Sequence, residues 1–132
     1  MVIRLLLGLI MGIESYQQGI KGEEIAENYL LGQGYQILEK NFHSQQGEVD
    51  LVAMDRETLV FVEVKNYSFR SYGSPLGAVR KSKRESIIHA ARTYLLKNKL
   101  RKVNCRFDVV TIYRRPNGSR AVELYKNAFM VN

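Results

Sequence analysis

The chain has 132 residues, 45% hydrophobic and 25% charged, which is the size and make-up of one globular domain and sets it apart from disordered tails and membrane bundles. Its single cysteine excludes an intrachain disulfide and a cysteine-based zinc framework, and fits a reducing, cytoplasmic compartment. Twenty Lys and Arg against thirteen Asp and Glu give a net charge of +7, which favours a polyanionic partner or an acidic surface.

Met1 to Ile13 is apolar around Arg4. It falls well short of the ~20 residues that span a bilayer. Gly12-Ile13-Glu14-Ser15 offers no small-x-small cleavage site, so membrane association is not expected. This extension, residues 1–18, has three readings: a docked helix, a short membrane-surface segment, or an over-extended start with Met11 as the true initiator. The first and third are preferred, and residues 19–132 are then the single domain.

From Ile20 to Gln33, apolar residues at Ile20, Ile25, Ala26, Tyr29 and Leu30 approximate helical spacing, and Gly34 supplies a C-terminal stop. Tyr35 to Lys40 reads as a short strand, followed by a polar connection from Asn41 to Gly47. Glu48 to Met54 alternates around Val49, Leu51 and Ala53, and Leu59 to Lys65 around Val60, Val62 and Val64, with the polar turn Asp55-Arg56-Glu57-Thr58 between them. That pattern predicts a β-hairpin. Asn66 to Pro75 has no period and reads as a loop. Leu76 to Leu100 predicts one or two helices with an apolar stripe through Ile87, Ala91, Tyr94 and Leu95. Phe107 to Tyr113 and Ala121 to Tyr125 read as strands on either side of the turn Pro116-Asn117-Gly118-Ser119. The expected architecture is α/β, a mixed sheet with helices packed against it.

Chemistry concentrates on the hairpin. With its turn centred between Arg56 and Glu57, Asp50 lies opposite Glu63 and Glu48 opposite Lys65. Residues two apart on a strand share a face, so all four side chains project to one side. Facing carboxylates destabilise a strand pair unless a cation is present or one group is protonated. Hard oxygen donors in this arrangement suit Mg²⁺ or Mn²⁺, with Asp50 and Glu63 as ligands and Lys65 as the cation that steers a water or neutralises developing charge. The plain alternative is Lys65 paired with Glu48 and Glu63 on a solvated sheet face, worth about 0–1 kcal/mol. Against it stands the setting of these acids among Val, Leu and Phe in a strongly basic chain.

Ten Lys or Arg and one acid, Glu85, lie between Arg80 and Arg106. Arg80, Lys81, Lys83 and Arg84 open the long helix and are the candidates for gripping a nucleic-acid backbone; Lys97, Lys99, Arg101 and Lys102 read equally well as a solvated face. Tyr67, Phe69 and Tyr72 can stack on unpaired bases or pack on the sheet. His43 and His89 stand without ligand spacing, and Asp108 reads either as an acid supporting the site residues from behind or as a simple ion pair with Arg106, the second being preferred. No Gly-rich phosphate loop is present, so no small-molecule cofactor is expected.

Gly22-Glu23, Ala26, Tyr29-Leu30, Gly34-Tyr35, Asn41, Gly47-Glu48-Val49-Asp50, Phe61-Val62-Glu63-Val64-Lys65, Lys83, Ala91 and Arg106-Phe107-Asp108-Val109-Val110 together carry a resemblance. From Gly19 to Phe129 the chain resembles the uncharacterised YraN-like bacterial family of the restriction-endonuclease-like superfamily, akin to archaeal Holliday-junction resolvases. The resemblance implies an αβββαβ core and a metal-dependent endonuclease site of Asp50, Glu63 and Lys65, with Glu23 reaching in from the first helix as a further catalytic acid. It also implies DNA, branched or single-stranded, as substrate, and a homodimer. One departure stands out: related sequences often carry a basic residue two positions after the motif lysine, where this chain has Tyr67. Arg70 is the candidate substitute.

Overall fold

The computed structural model describes residues 21–68 and 81–131. The apolar extension, Arg70, Arg80, Phe69 and Tyr72 lie outside the described residues. Helix α1 is described over residues 21–32 and is followed by β1 (Gln36–His43), β2 (Glu48–Asp55) and β3 (Thr58–Ser68). Then come α2 (Lys81–Lys97), β4 (Cys105–Arg114) and β5 (Arg120–Phe129). The strands form one sheet in the order β1-β2-β3-β4-β5, parallel between β3 and β4 and antiparallel elsewhere. The protein is thus an α/β fold with a five-stranded mixed sheet flanked by two helices, consistent with a restriction-endonuclease-like core. Among the described residues no helix is long and apolar enough to cross a membrane.

The central strands are apolar on both faces because both faces are covered. Leu51, Ala53, Val60, Val62, Val110 and Ile112 pack with Ala26 and Leu30 of α1. Val52, Leu59, Phe61, Phe107 and Val109 pack with Ile87, Ala90, Ala91 and Tyr94 of α2, four positions that define one helical face. Helix α1 ends as its sequence requires. Gly34 takes φ 92°, its N–H donates to Leu31 O, and the Tyr35 N–H donates back to Leu30 O, so the last carbonyls are satisfied by a left-handed cap.

Three strands run further than hydropathy indicates. β3 continues through Asn66, Tyr67 and Ser68, where composition reads as loop, because β4 runs alongside and pairs with each of them. β1 extends to His43 past Asn41 at φ 51°, and β5 to Phe129 past Asn127 at φ 54°. Both are left-handed residues at which the strand is irregular yet resumes.

Candidate functional site

The hairpin register is the expected one from Asp55↔Thr58 to Leu51↔Val62, and there the recorded pairing of β2 with β3 stops. The cause lies on the other side of β2. Lys40 pairs with Leu51 and Phe42 with Val49, but Leu51 belongs to the α1-side core while Val49 and Phe42 belong to the α2-side core. The regular alternation is therefore interrupted at Asn41 and Asp50, where Asn41 is left-handed. Released from the ladder, Asp50 turns its carboxylate onto β3 and accepts a hydrogen bond from the Val64 N–H at 2.8 Å. The same irregularity presents the Asn41 amide to Glu23 of α1, donating at 3.1 Å.

Glu63 is nearly inaccessible, 3% exposed, although it is an acid on an apolar strand. Its Oε1 lies 3.5 Å from Lys65 Nζ and 3.7 Å from Lys83 Nζ, and its buried Oε2 has no hydrogen-bond partner. Burial, and next the charge of Asp50, push the Glu63 carboxyl up to about 7, with Lys83 and Lys65 pulling the other way; close contact with the Asp50 carboxyl, to which only a protonated Glu63 can donate, adds to the rise. Glu23 is also raised, by burial first, with the Asn41 hydrogen bond opposing and the charges of Asp50 and Glu48 adding to it. Lys83 is raised despite its burial, because Glu63, Asp50 and Glu48 all favour its charged form.

Glu23, Asp50, Glu63 and Lys65 therefore share one electrostatic neighbourhood. Glu48 is placed differently from the sequence expectation. It meets Lys83 at 3.3 Å and His43 at 3.3 Å instead of holding Lys65. Lys83 differs too: read from sequence as one of a row of backbone-gripping cations, it points into the acidic patch, whereas Lys81 and Arg84 are exposed. The signal was present in the helical phase. Ile87 opens the buried stripe of α2, and Lys83 stands one turn before it on the same face. Ser86 accepts the Glu48 N–H at 3.3 Å, and Gly47 approaches α2 so closely that an added Cβ would lie 1.9 Å from the Ser86 carbonyl oxygen. The hairpin and the start of α2 are docked against each other there.

Among the described residues, no group of three or more His, Cys, Asp or Glu is gathered closely enough to cage a metal unaided. Mg²⁺ does not require one, since it commonly takes one or two carboxylates and completes its shell with water and phosphate oxygens. The donor chemistry fits such an ion. A buried carboxylate oxygen with no hydrogen bond, beside a second carboxylate, is costly as it stands and is satisfied by a cation.

Along α2, Lys81, Arg84 and Arg92, with the acid Glu85 among them, line an open groove together with Ile88 and Met130. On β4, Arg106 and Asp108 form the expected ion pair at 2.8 Å.

Residues 22–112 match the profile of the uncharacterised protein family UPF0102. The chain is 41% identical over 114 residues to a UPF0102 protein of Clostridium kluyveri, covering 86% of this chain and 93% of that one. It is 46% identical over 113 residues to a UPF0102 protein of Pelobacter propionicus, covering 84% and 81% of the two chains. A UPF0102 protein of Chlorobium phaeobacteroides is 38% identical over 125 residues, 91% of this chain and 99% of its own. With the family profile spanning the helix, hairpin and α2 that build the acidic site, this chain belongs to the uncharacterised protein family UPF0102.

Proposed function

We propose that this protein is a Mg²⁺- or Mn²⁺-dependent endonuclease-like domain of the restriction-endonuclease-like superfamily, acting on DNA phosphodiester bonds. The observation that carries the reading is Glu63, a buried carboxylate with an unpartnered oxygen, set beside Asp50 and two residues from Lys65. Asp50 and Glu63 would hold the ion, which when bound polarises the phosphodiester and lowers the pKa of a coordinated water. Asp50 is fixed for this by the Val64 N–H, and Glu63 by the strand that buries it. Lys65, with its side chain 28% exposed, keeps its ammonium beside Glu63 and accessible to a substrate phosphate or an attacking water. Glu23, restrained by Asn41, is the further acid at the rim. Lys81, Arg84 and the neighbouring Arg92 offer exposed charge along α2 for the phosphate backbone.

The test is cleavage of labelled four-way-junction, flap, single-stranded and duplex DNA with Mg²⁺ or Mn²⁺. Cutting that disappears in Asp50→Ala, Glu63→Ala and Lys65→Ala supports the reading; undiminished cutting in the two carboxylate variants sinks the site assignment.

A second reading is a module that keeps the fold and binds nucleic acid without cutting it. Tyr67 favours it: the position two residues beyond Lys65, often basic in related sequences, is here a strand residue paired with Tyr113. Salt-sensitive DNA binding without cleavage under every metal is its signature.

A further inference from the structure

Lys83 is the one side chain of α2 that reaches the carboxylates of both β2 and β3, with its ammonium 3.3 Å from Glu48 Oε1 and 3.7 Å from Glu63 Oε1. Its route there is built into the fold, since the Glu48–Ser86 hydrogen bond and the bare Cα of Gly47 against Ser86 fix the helical turn that carries it. We propose that Lys83 is a tethered counter-ion, a positioning residue that stands in for part of the divalent charge while the site is metal-free and weakens metal binding once the ion arrives. This rests on the metal-site reading of Asp50 and Glu63.

Three features support it. The facing acids of β2 and β3 need positive charge to fold together, and among the described residues Lys65 pairs with Glu63 alone, whereas Lys83 bridges Glu63 and Glu48. Both lysines approach the same oxygen, Oε1, and leave the buried Oε2 without a donor, so the ammonium groups compensate charge without satisfying the oxygen that a cation would take. Finally, the Lys83 side chain is 27% exposed and flexible along its stem, so it can stay close to an incoming cation or swing outward from it.

The measurement is Mn²⁺ binding by titration calorimetry at pH 8.0, paired with thermal melting with and without Mn²⁺, for the wild type, Lys83→Met and Lys83→Arg. A partly exposed cation beside a divalent ion predicts that Lys83→Met binds Mn²⁺ about three- to tenfold more tightly than wild type. It also predicts a lower metal-free melting temperature for Lys83→Met that Mn²⁺ restores, while Lys83→Arg keeps wild-type values for both. Equal or weaker Mn²⁺ binding in Lys83→Met overturns the counter-ion role while leaving the metal site standing. Absence of Mn²⁺ binding in the wild type overturns the metal reading and this proposal with it. Should Lys83→Met fail to fold, Lys83→Gln serves the same comparison, and tighter binding there decides the question in the same way.

Discussion

Two charged clusters start one register step apart on neighbouring strands, Glu63 on β3 meeting Lys83 of α2 and Asp108 on β4 meeting Tyr35 of the α1-side core, and they are built to opposite rules. Asp108 is fully buried and both of its oxygens are saturated. Oδ1 accepts from Arg106 Nε at 2.8 Å and the Asn127 N–H at 2.9 Å, and Oδ2 from Tyr35 Oη and Arg106 Nη2, both at 2.9 Å. Arg106 also donates to Asp55 at 2.8 Å, and this holds the Asp55 carboxyl below its usual range. Glu63 is almost as deeply buried, yet its nearest cations stand at 3.5 and 3.7 Å, beyond good hydrogen-bond length, and one oxygen has no partner. The first arrangement stabilises a fold. The second leaves an unmet electrostatic demand in the metal-free protein, which is the condition in which a site can bind something.

The largest effect expected is on the saturated cluster. Asp108→Ala leaves the Arg106 guanidinium and the Asn127 N–H facing a hole, and the loss of one partner of a buried pair costs about 3–5 kcal/mol. Urea unfolding followed by circular dichroism measures it, and a loss below about 1 kcal/mol would break the contrast between the two clusters.

Glu63→Gln should move stability in the other direction. The folded-state carboxyl, pushed up to about 7 from 4.5, holds more protons than the unfolded chain between those values, so metal-free wild-type stability falls as pH rises through that window and levels off above it. A shift of that size corresponds to at most about 3 kcal/mol. Without metal, Glu63→Gln should remove this slope, so the two proteins diverge in unfolding free energy between pH 5 and pH 8, with the variant gaining. Parallel pH profiles would show that Glu63 is as well compensated as Asp108.

How far the sequence reveals these two clusters depends on which contacts are local. The Asp50–Glu63 juxtaposition is legible because strand alternation and a short polar turn set the hairpin register, and the observed pairs from Asp55↔Thr58 to Leu51↔Val62 follow it. The left-handed turn at Asn41 is not legible in hydropathy, and it is what ends the ladder and redirects Asp50 onto Val64. Hairpin register alone sets Glu48 opposite Lys65, and its partner Lys83 is hidden from that reading because it arrives from a helix whose position over the sheet is a tertiary fact. The Arg106–Asp108 pair could be read two residues apart, but Tyr35, Asp55 and Asn127 converge on it from three other segments.

A smaller effect separates the components of the saturated cluster. The Tyr35 hydroxyl donates to Asp108 and accepts from Arg106 at 2.8 Å; burial first and then Asp108 hold its proton in place, with the charge of Arg106 pulling the other way. Tyr35→Phe keeps the ring in the α1-side core and removes only the hydroxyl, for an expected loss of about 1–2 kcal/mol. A change as large as that of Asp108→Ala would mean that the hydroxyl, and not the Arg106 pair, organises the network.

The smallest effect on stability belongs to the exposed cations beside the unsatisfied cluster, and it separates folding from binding most sharply. Lys81 is 84% exposed and meets Glu85 only at 4.0 Å, so Lys81→Ala should change unfolding free energy by no more than about 0.5 kcal/mol. If α2 carries a nucleic-acid backbone, the same substitution releases about one fewer counter-ion on binding, and the slope of log affinity against log salt falls by about 0.9 on duplex DNA. Lys81→Ala combined with Arg84→Ala should reduce it by roughly twice that amount. A salt slope unchanged in both proteins would move the binding face away from α2, leaving the carboxylates to be approached from elsewhere on the surface.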